Sequence, residues 1–313
     1  MTGVVIKSTG SWYIIRADDD HKIYECRIRG KFRMSGIKST NPVTVGDIVD
    51  FDLEKNSQKG IITKIHDRKN YIIRKSVNLS KQTHIIAANI DQVFLLITLD
   101  NPPTYTPFID RFLATAEAYS IPAILIFNKI DIYDKKLAEQ KQQLEKIYRA
   151  IGYECLDISA IEKVNIGKLK IMMKDRVSMF SGHSGVGKST LINTIYPQLG
   201  LKTAEISTQH KQGQHTTTFA EMFSLPFGGY IIDTPGIKGF GVVDFEKDEI
   251  GDFFPEIFAL KQHCKFNNCL HVNEPNCAVK TAVENGEIAK SRYHNYLQLL
   301  EGEQENYRVD DYV

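Results

Sequence analysis

The chain has no apolar run near the roughly 18–20 residues that a membrane-spanning helix needs, which excludes an integral helical membrane protein. Its opening residues, MTGVVIKSTGSW, lack the apolar core of an export signal, so a cytoplasmic location is expected. Cysteine is scarce: five in 313 residues, an odd number that does not suit a disulfide framework. Internal repeats and low-complexity tracts are missing too, which argues against a solenoid or a disordered chain. Neither sign of charge dominates, the net being +1. That near-neutral sum hides an asymmetry. Residues 1–75 carry 15 Lys and Arg against 9 Asp and Glu, whereas residues 245–313 carry 7 against 13. A basic head is compatible with nucleic acid, and equally with an ordinary solvated surface.

The first 70 residues alternate short β-rich runs with turn residues. VVIKS, SWYIIR, KIYECRI, GDIVDFDL and GIITKI predict five strands, the number of a small barrel of the oligonucleotide-binding (OB) type. HDRKNYIIRKS reads as a linker. From about residue 85, strand-like runs (NIDQVFLLITLD, AILIFNKID, YECLDISA, VSMFSGHSG, TFAEMFSL, GYIIDTPG) alternate with helical ones (FIDRFLATAEAYS, KLAEQKQQLEKIYRAIG, LINTIY). Such alternation predicts an α/β layered domain with a mainly parallel sheet. Past Pro255 come a Cys/His segment and helical stretches. The expected division is a barrel at 1–70, an α/β domain at 71–243 and a mainly helical, zinc-binding domain at 244–313.

GHSGVGKST, residues 182–190, fits a phosphate-binding loop between an apolar strand and a helix. Glycines let the backbone N–H groups of Gly182, His183, Ser184, Gly185, Val186 and Gly187 turn toward phosphate oxygens. Lys188 neutralises their charge, Ser189 is a Mg²⁺ ligand, and Thr190 lies in the helix N-terminus, which adds partial positive charge. DTPG follows an apolar run: Asp233 can hold Mg²⁺ through water, and Gly236 can offer its N–H to a γ-phosphate. In NKID, the Asp131 carboxylate suits the paired N1–H and N2–H donors of guanine, which adenine lacks. Asn128 positions the loop, the Lys129 stem lies along the base, and Ile130 completes the turn. ISA then places the N–H groups of Ser159 and Ala160 as donors to guanine O6.

These elements run in an unusual order: base reader, second base loop, phosphate loop, threonines of GQHTTT, then DTPG. Because an α/β sheet does not depend on where its chain is cut, the order describes a circular permutation of a P-loop GTPase. Where a Ras-like GTPase carries the glutamine that orients the attacking water, this chain has Ile237. Either hydrolysis depends on a partner, or His215 does the work. Among the threonines, Thr217 is the expected ligand of Mg²⁺, ahead of Thr216.

CKFNNCLHVNEPNC supplies Cys264, Cys269, His271 and Cys277, a complete tetrahedral shell for one structural Zn²⁺ with no open position. His263 is a poorer ligand because neighbouring side chains diverge. Cys26 and Cys155 sit in strand-like runs and are expected to be buried apolar residues.

Barrel, permuted GTPase and Cys/His tail together resemble, over essentially the whole chain, the circularly permuted RsgA/YjeQ family of small-ribosomal-subunit-dependent GTPases. The resemblance implies a cytosolic enzyme that hydrolyses GTP to GDP late in small-subunit assembly and is stimulated by that subunit. It implies GTP/GDP and Mg²⁺ as ligands, the small subunit and its rRNA as partners, no membrane, and a monomer. Carried onto this sequence, nucleotide contacts fall on Asn128 to Asp131 and Gly182 to Thr190; His183 stands where relatives often have Gln or Pro. An RNA-binding module in which nucleotide is only a structural switch is the second reading. A GTPase of membrane transport lacks any membrane-directed segment to support it.

Overall fold

Five segments whose residues alternate in burial form β1 (Thr2–Ser8), β2 (Tyr13–Ala17), β3 (Ile23–Ile28), β4 (Ile48–Leu53) and β5 (Lys59–Ile65) in the computed structural model. The structure describes residues 1–28, 42–54, 57, 59–75, 83–200, 220–233 and 245–302. β1 pairs with both β2 and β4, β3 runs parallel to β5, and β4 pairs with β5, so the ladder closes on itself as a five-stranded barrel. Inward positions carry Val5, Tyr13, Ile15, Cys26, Val49, Phe51 and Ile62, all buried. Register shifts at Val5/Lys7 and Asp50/Phe51 supply the bends that closure requires.

Past the barrel the elements are β6 (Tyr71–Lys75), β7 (Thr83–Ala88), β8 (Gln92–Ile97), α1 (Thr106–Ala118), β9 (Ala123–Phe127), α2 (Lys135–Ile151) and β10 (Glu154–Asp157). Then come α3 (Ile166–Met173), β11 (Val177–Ser181), α4 (Lys188–Ile195), β12 (Glu221–Ser224), β13 (Tyr230–Asp233), α5 (Pro255–Lys261), α6 (Ala278–Glu284) and α7 (Lys290–Glu301). The stretch read as a linker contains β6, which pairs antiparallel with β7. Its YIIRK run is too short to declare itself, and its partner begins eight residues further on. No helix among the described residues is long and apolar enough to cross a membrane.

Two compact units result. One comprises Met1–Val93, Gly167–Phe180 and Glu205–Val242; the other comprises Phe94–Ile166, Ser181–Ala204 and Val243–Val313. In the first, strand neighbours run β11-β13-β12-β1-β2-β3-β5-β4, with β11 and β13 parallel. Among the described residues the barrel pairs with this sheet at Lys7 and Glu221, whose side chains form a 3.0 Å ion pair.

In the second unit β10, β9 and β8 are neighbours, β10 and β9 being parallel, and β8 is buried along its whole length. Asp134 starts α2 by accepting the Leu137 N–H, and Gly152 ends it in a left-handed conformation. The C-terminal helices share a core of Phe254, Ile257, Val279, Val283, Tyr296 and Leu300 with Ala114 of α1. A buried polar knot ties them down. Asp110 on α1 accepts from Arg292 (2.8 Å), Asn295 (2.6 Å) and Tyr148 (2.6 Å), and Arg292 also donates to Glu256 at 2.6 and 3.0 Å.

Candidate functional site

β9 is five apolar residues that end in polar ones, and its partners fix where that end lies. The Asn128 N–H donates to Ile97 O at 2.9 Å, and the Asn128 side chain is 1% exposed. Its amide nitrogen donates to Val186 O at 2.8 Å, across 58 residues of chain, so the NKID motif and the GHSGVGKST loop meet in space. The amide oxygen is buried with no partner among the described residues. Lys129 takes a left-handed conformation (φ 60°) and its ammonium donates to Asn101 O. Burial lowers its pKa, with Asp131 and Asp100 opposing. Asp131 is exposed, in the single turn Ile130–Ile132, and makes no hydrogen bond to the described residues.

Sequence reasoning missed Tyr133, whose hydroxyl donates to Asn128 O and accepts from Leu99 N, both at 3.0 Å. A tyrosine just past a polar motif gives no signal of this kind, because its partners come from the end of another strand. The second base loop is equally fixed. Ile130 N donates to Ile158 O (3.3 Å), the buried Ser159 accepts from Glu162 N (3.0 Å), and Ala160 O accepts from Thr194 of α4 (3.3 Å).

Between β11 and α4 the chain turns through Gly182 (φ 142°), Gly185 (φ 83°) and Gly187 (φ 94°). Two of these admit no side chain for reasons of space as well as φ. A Cβ on Gly182 would lie 2.7 Å from Leu96 O, and one on Gly187 2.5 Å from the Asn128 amide nitrogen. Val186 is fully buried and pins the turn, whereas Ser184 and Gly185 face solvent. α4 begins at Lys188, with Ser189 and Thr190 half-buried in its first turn, so the unsatisfied N–H groups of that turn face the loop. The Lys188 ammonium folds back onto its own loop, donating to Gly182 O and to His183 O (2.7 Å). Burial brings its pKa down to about 8. A phosphate between those N–H groups would restore the full positive charge of the lysine.

His183 sits on the loop with its ring centroid 3.7 Å from that of Phe108. Burial, with Lys188 nearby, lowers its pKa to about 4, so the imidazole is neutral at physiological pH. Asp233 ends β13, opposite Glu221. His215, Thr216, Thr217, Gly236 and Ile237 lie outside the described residues.

Cys264, Cys269, His271 and Cys277 form a second cluster, with all four donor atoms within 4.8 Å of one another. Zn–S bonds of about 2.3 Å and a Zn–N bond of about 2.0 Å in a tetrahedron require S···S near 3.8 Å and S···N near 3.5 Å. The structure has Cys264 Sγ to Cys277 Sγ at 3.9 Å, Cys264 Sγ to His271 Nδ1 at 3.6 Å, and His271 Nδ1 to Cys277 Sγ at 3.4 Å. The residues fit the ion. Burial pushes the Cys269 thiol up to about 12 and lowers the pKa of His271. Around the ligands, Glu274 accepts from Leu270 N (2.7 Å) and Val272 N (2.8 Å), and Tyr293 and Tyr296 donate to His271 O (2.6 Å) and Leu270 O (2.8 Å). Cys26 and Cys155 are buried, and burial raises their thiols to about 11 and about 12, so they behave as apolar residues.

The basic head is largely paired where it is described: Lys7 with Glu221, Lys22 with Asp20, Arg27 with Glu54, Lys59 with Glu25 and Arg68 with Asp47. Arg29, Lys31, Arg33 and Lys38 fall outside the described residues.

Comparison with known proteins agrees with this geometry. Residues 65–243 match the RsgA GTPase family model, and residues 2–62 match the RsgA N-terminal domain. A small ribosomal subunit biogenesis GTPase RsgA of Christiangramia forsetii is 66% identical over 100% of this chain and 99% of its own. The protein of the same name from Flavobacterium psychrophilum is 63% identical over 100% and 96%. Among solved structures, YjeQ from Thermotoga maritima superposes with a TM-score of 0.80 at 36% identity, covering 96% of this chain and 97% of that one. YloQ, described as a circularly permuted GTPase, gives 0.75 at 31% identity over 96% and 94%.

Proposed function

The chain belongs to the RsgA family of circularly permuted GTPases, and from that premise we propose that it hydrolyses GTP to GDP and phosphate in the late assembly of the small ribosomal subunit, which stimulates it. The observation that carries the reading is the bond from the Asn128 amide to Val186 O, which makes one site of two motifs that appear in inverted order along the chain. Asp131 reads guanine, with the N–H groups of Ser159 and Ala160 on O6. The N–H groups of Gly182 to Thr190 hold the phosphates, and Lys188 leaves its own carbonyls for their oxygens. Mg²⁺, held by Ser189 and Thr217 and through water by Asp233, would neutralise charge on the phosphates, while Gly236 donates to the γ-phosphate. His215 aligns the attacking water where Ile237 cannot.

The Cys264, Cys269, His271 and Cys277 centre holds one structural Zn²⁺. Residues 1–70 are the rRNA-binding barrel, residues 71–243 the GTPase and residues 244–313 the zinc domain, in a cytoplasmic, monomeric protein with no membrane partner. The OB-type closure of β1–β5 and the Lys and Arg surplus of residues 1–75 support the rRNA assignment. Phosphate release under multiple turnover, measured with purified small subunits, large subunits and neither, tests the whole reading. Stimulation by small subunits alone is the expected result; equal rates in all three would overturn it.

A further inference from the structure

The stretch LDNPPTYTPF at 99–108, which covers most of the β8–α1 connection and the first three residues of α1, touches both nucleotide-site loops. On the base side, Leu99 N donates to the Tyr133 hydroxyl (3.0 Å) that also holds Asn128 O, and Asn101 O accepts from Lys129. On the phosphate side, a Cβ on Gly185 would lie 3.2 Å from Pro102 Cδ, and the Phe108 ring lies 3.7 Å from the His183 ring, centroid to centroid. The connection is itself rigid. Thr104 N donates to Thr98 O (2.7 Å), Thr98 N to Thr104 Oγ1 (3.2 Å), and Thr98 Oγ1 to Pro102 O (2.5 Å). Phe108 is anchored from the other side as well, because Asp110 of the same helix turn is held by Arg292, Asn295 and Tyr148. The Phe108 and His183 rings line a cavity of about 630 Å³ that Leu99, Pro102, Tyr105 and Leu144 also line.

We propose that residues 99–108 are a brace that sets the spacing between the base-reading and phosphate loops, with Phe108 as a positioning residue that acts on the phosphate loop through His183. The proposal rests on the reading of those loops as the nucleotide site. His183 O accepts from Lys188, so a shift of the histidine moves the lysine and the loop N–H groups together. Only a ligand that bridges both loops should feel the brace. GDP does so, whereas guanosine touches the base side alone.

The test titrates the full zinc-loaded chain with a fluorescent methylanthraniloyl GDP and displaces it with GDP or guanosine. Phe108→Ala and His183→Ala should each weaken GDP roughly three- to tenfold, the range of an aromatic pair. Guanosine affinity should stay at the wild-type value. The double variant should lose no more than the weaker single one, because both remove the same contact. Phe108→Tyr, which keeps the ring, should bind GDP as wild type does. Phe108→Leu keeps apolar volume without the ring and carries the test if the alanine variant does not fold. Wild-type GDP affinity in folded Phe108→Ala or Phe108→Leu, multiplying losses in the double variant, or equal loss of guanosine and GDP would each overturn the brace. Lys188→Ala and Asp131→Asn separate this from the underlying reading. If they lose GDP while Phe108→Ala and Phe108→Leu do not, only the brace fails; if they bind GDP normally, the site itself is misplaced.

Discussion

The nucleotide loops and the Cys/His centre lie in the same unit and are built in opposite ways. The proposed nucleotide site draws on segments 58 residues apart, with Asp131 exposed and Lys188 turned onto its own loop. The Cys/His centre takes all its ligands from residues 264–277, and three of the four are buried with donor atoms already converged. One region fixes its backbone by contacts between distant segments and leaves the Asp131 carboxylate exposed. The other uses side chains as its framework. Removing functional groups should therefore spare the fold in the first region and damage it in the second.

The largest effect on folding is expected at Cys277→Ser. The change should release the metal, whose binding contributes on the order of 10 kcal/mol to organising such a site. Elemental analysis would show less than one zinc per chain, and thermal unfolding would begin far earlier. A variant that kept its unfolding profile without metal would break the contrast.

Next comes Asp110→Ala, which removes the buried acceptor of Arg292, Asn295 and Tyr148, leaves Arg292 paired with Glu256 alone, and should cost about 3–5 kcal/mol in chemical denaturation. Asp110→Asn, which keeps an acceptor in place, should lose less. This sharpens the comparison, because it shows the C-terminal region relying on ordinary buried pairing as well as on metal.

Lys188→Ala should abolish hydrolysis yet move the unfolding of the nucleotide-free protein by no more than about 1 kcal/mol. The wild-type lysine also gives a pH signature. Its pKa is about 8 in the folded state against 10.5 ordinarily. Between those values only the unfolded chain carries the proton, so the nucleotide-free protein gains stability as pH rises from about 8 toward 10.5. Bound phosphates favour the charged form, so GDP binding near pH 9 should take up protons. Calorimetry in two buffers of different ionisation enthalpy would detect the uptake, and Lys188→Ala should remove it.

Asp131→Asn should have the smallest effect on folding, since the carboxylate is exposed and bonds to nothing described. Its consequence is chemical: GTP affinity falls by roughly 10²-fold and use of xanthosine triphosphate rises, because an amide can donate to the xanthine oxygen. Unchanged selectivity would remove Asp131 from the base site.

Much of this was legible in the residues, and the reason is local chemistry. Strand alternation in VVIKS or IVDFDL shows a face to be buried, and GHSGVGKST shows a turn that only glycines allow before a helix N-terminus. C-x₄-C-x-H-x₅-C shows a closed donor set. These features depend on near neighbours, so the five-stranded barrel, the inverted order of the GTPase elements and the close grouping of Cys264, Cys269, His271 and Cys277 could be read from the residues alone. Tertiary structure alone decided which distant partners met. β6 looked like linker because its ladder lies in another segment. Tyr133, Phe108 and His183 looked ordinary because their partners come from other loops. Arg292 is a surface residue by type, and Asp110, Glu256, Asn295 and Tyr148 made it a core residue. No local preference encodes such pairings, because each gains its energy only when separate segments have been brought together and water excluded.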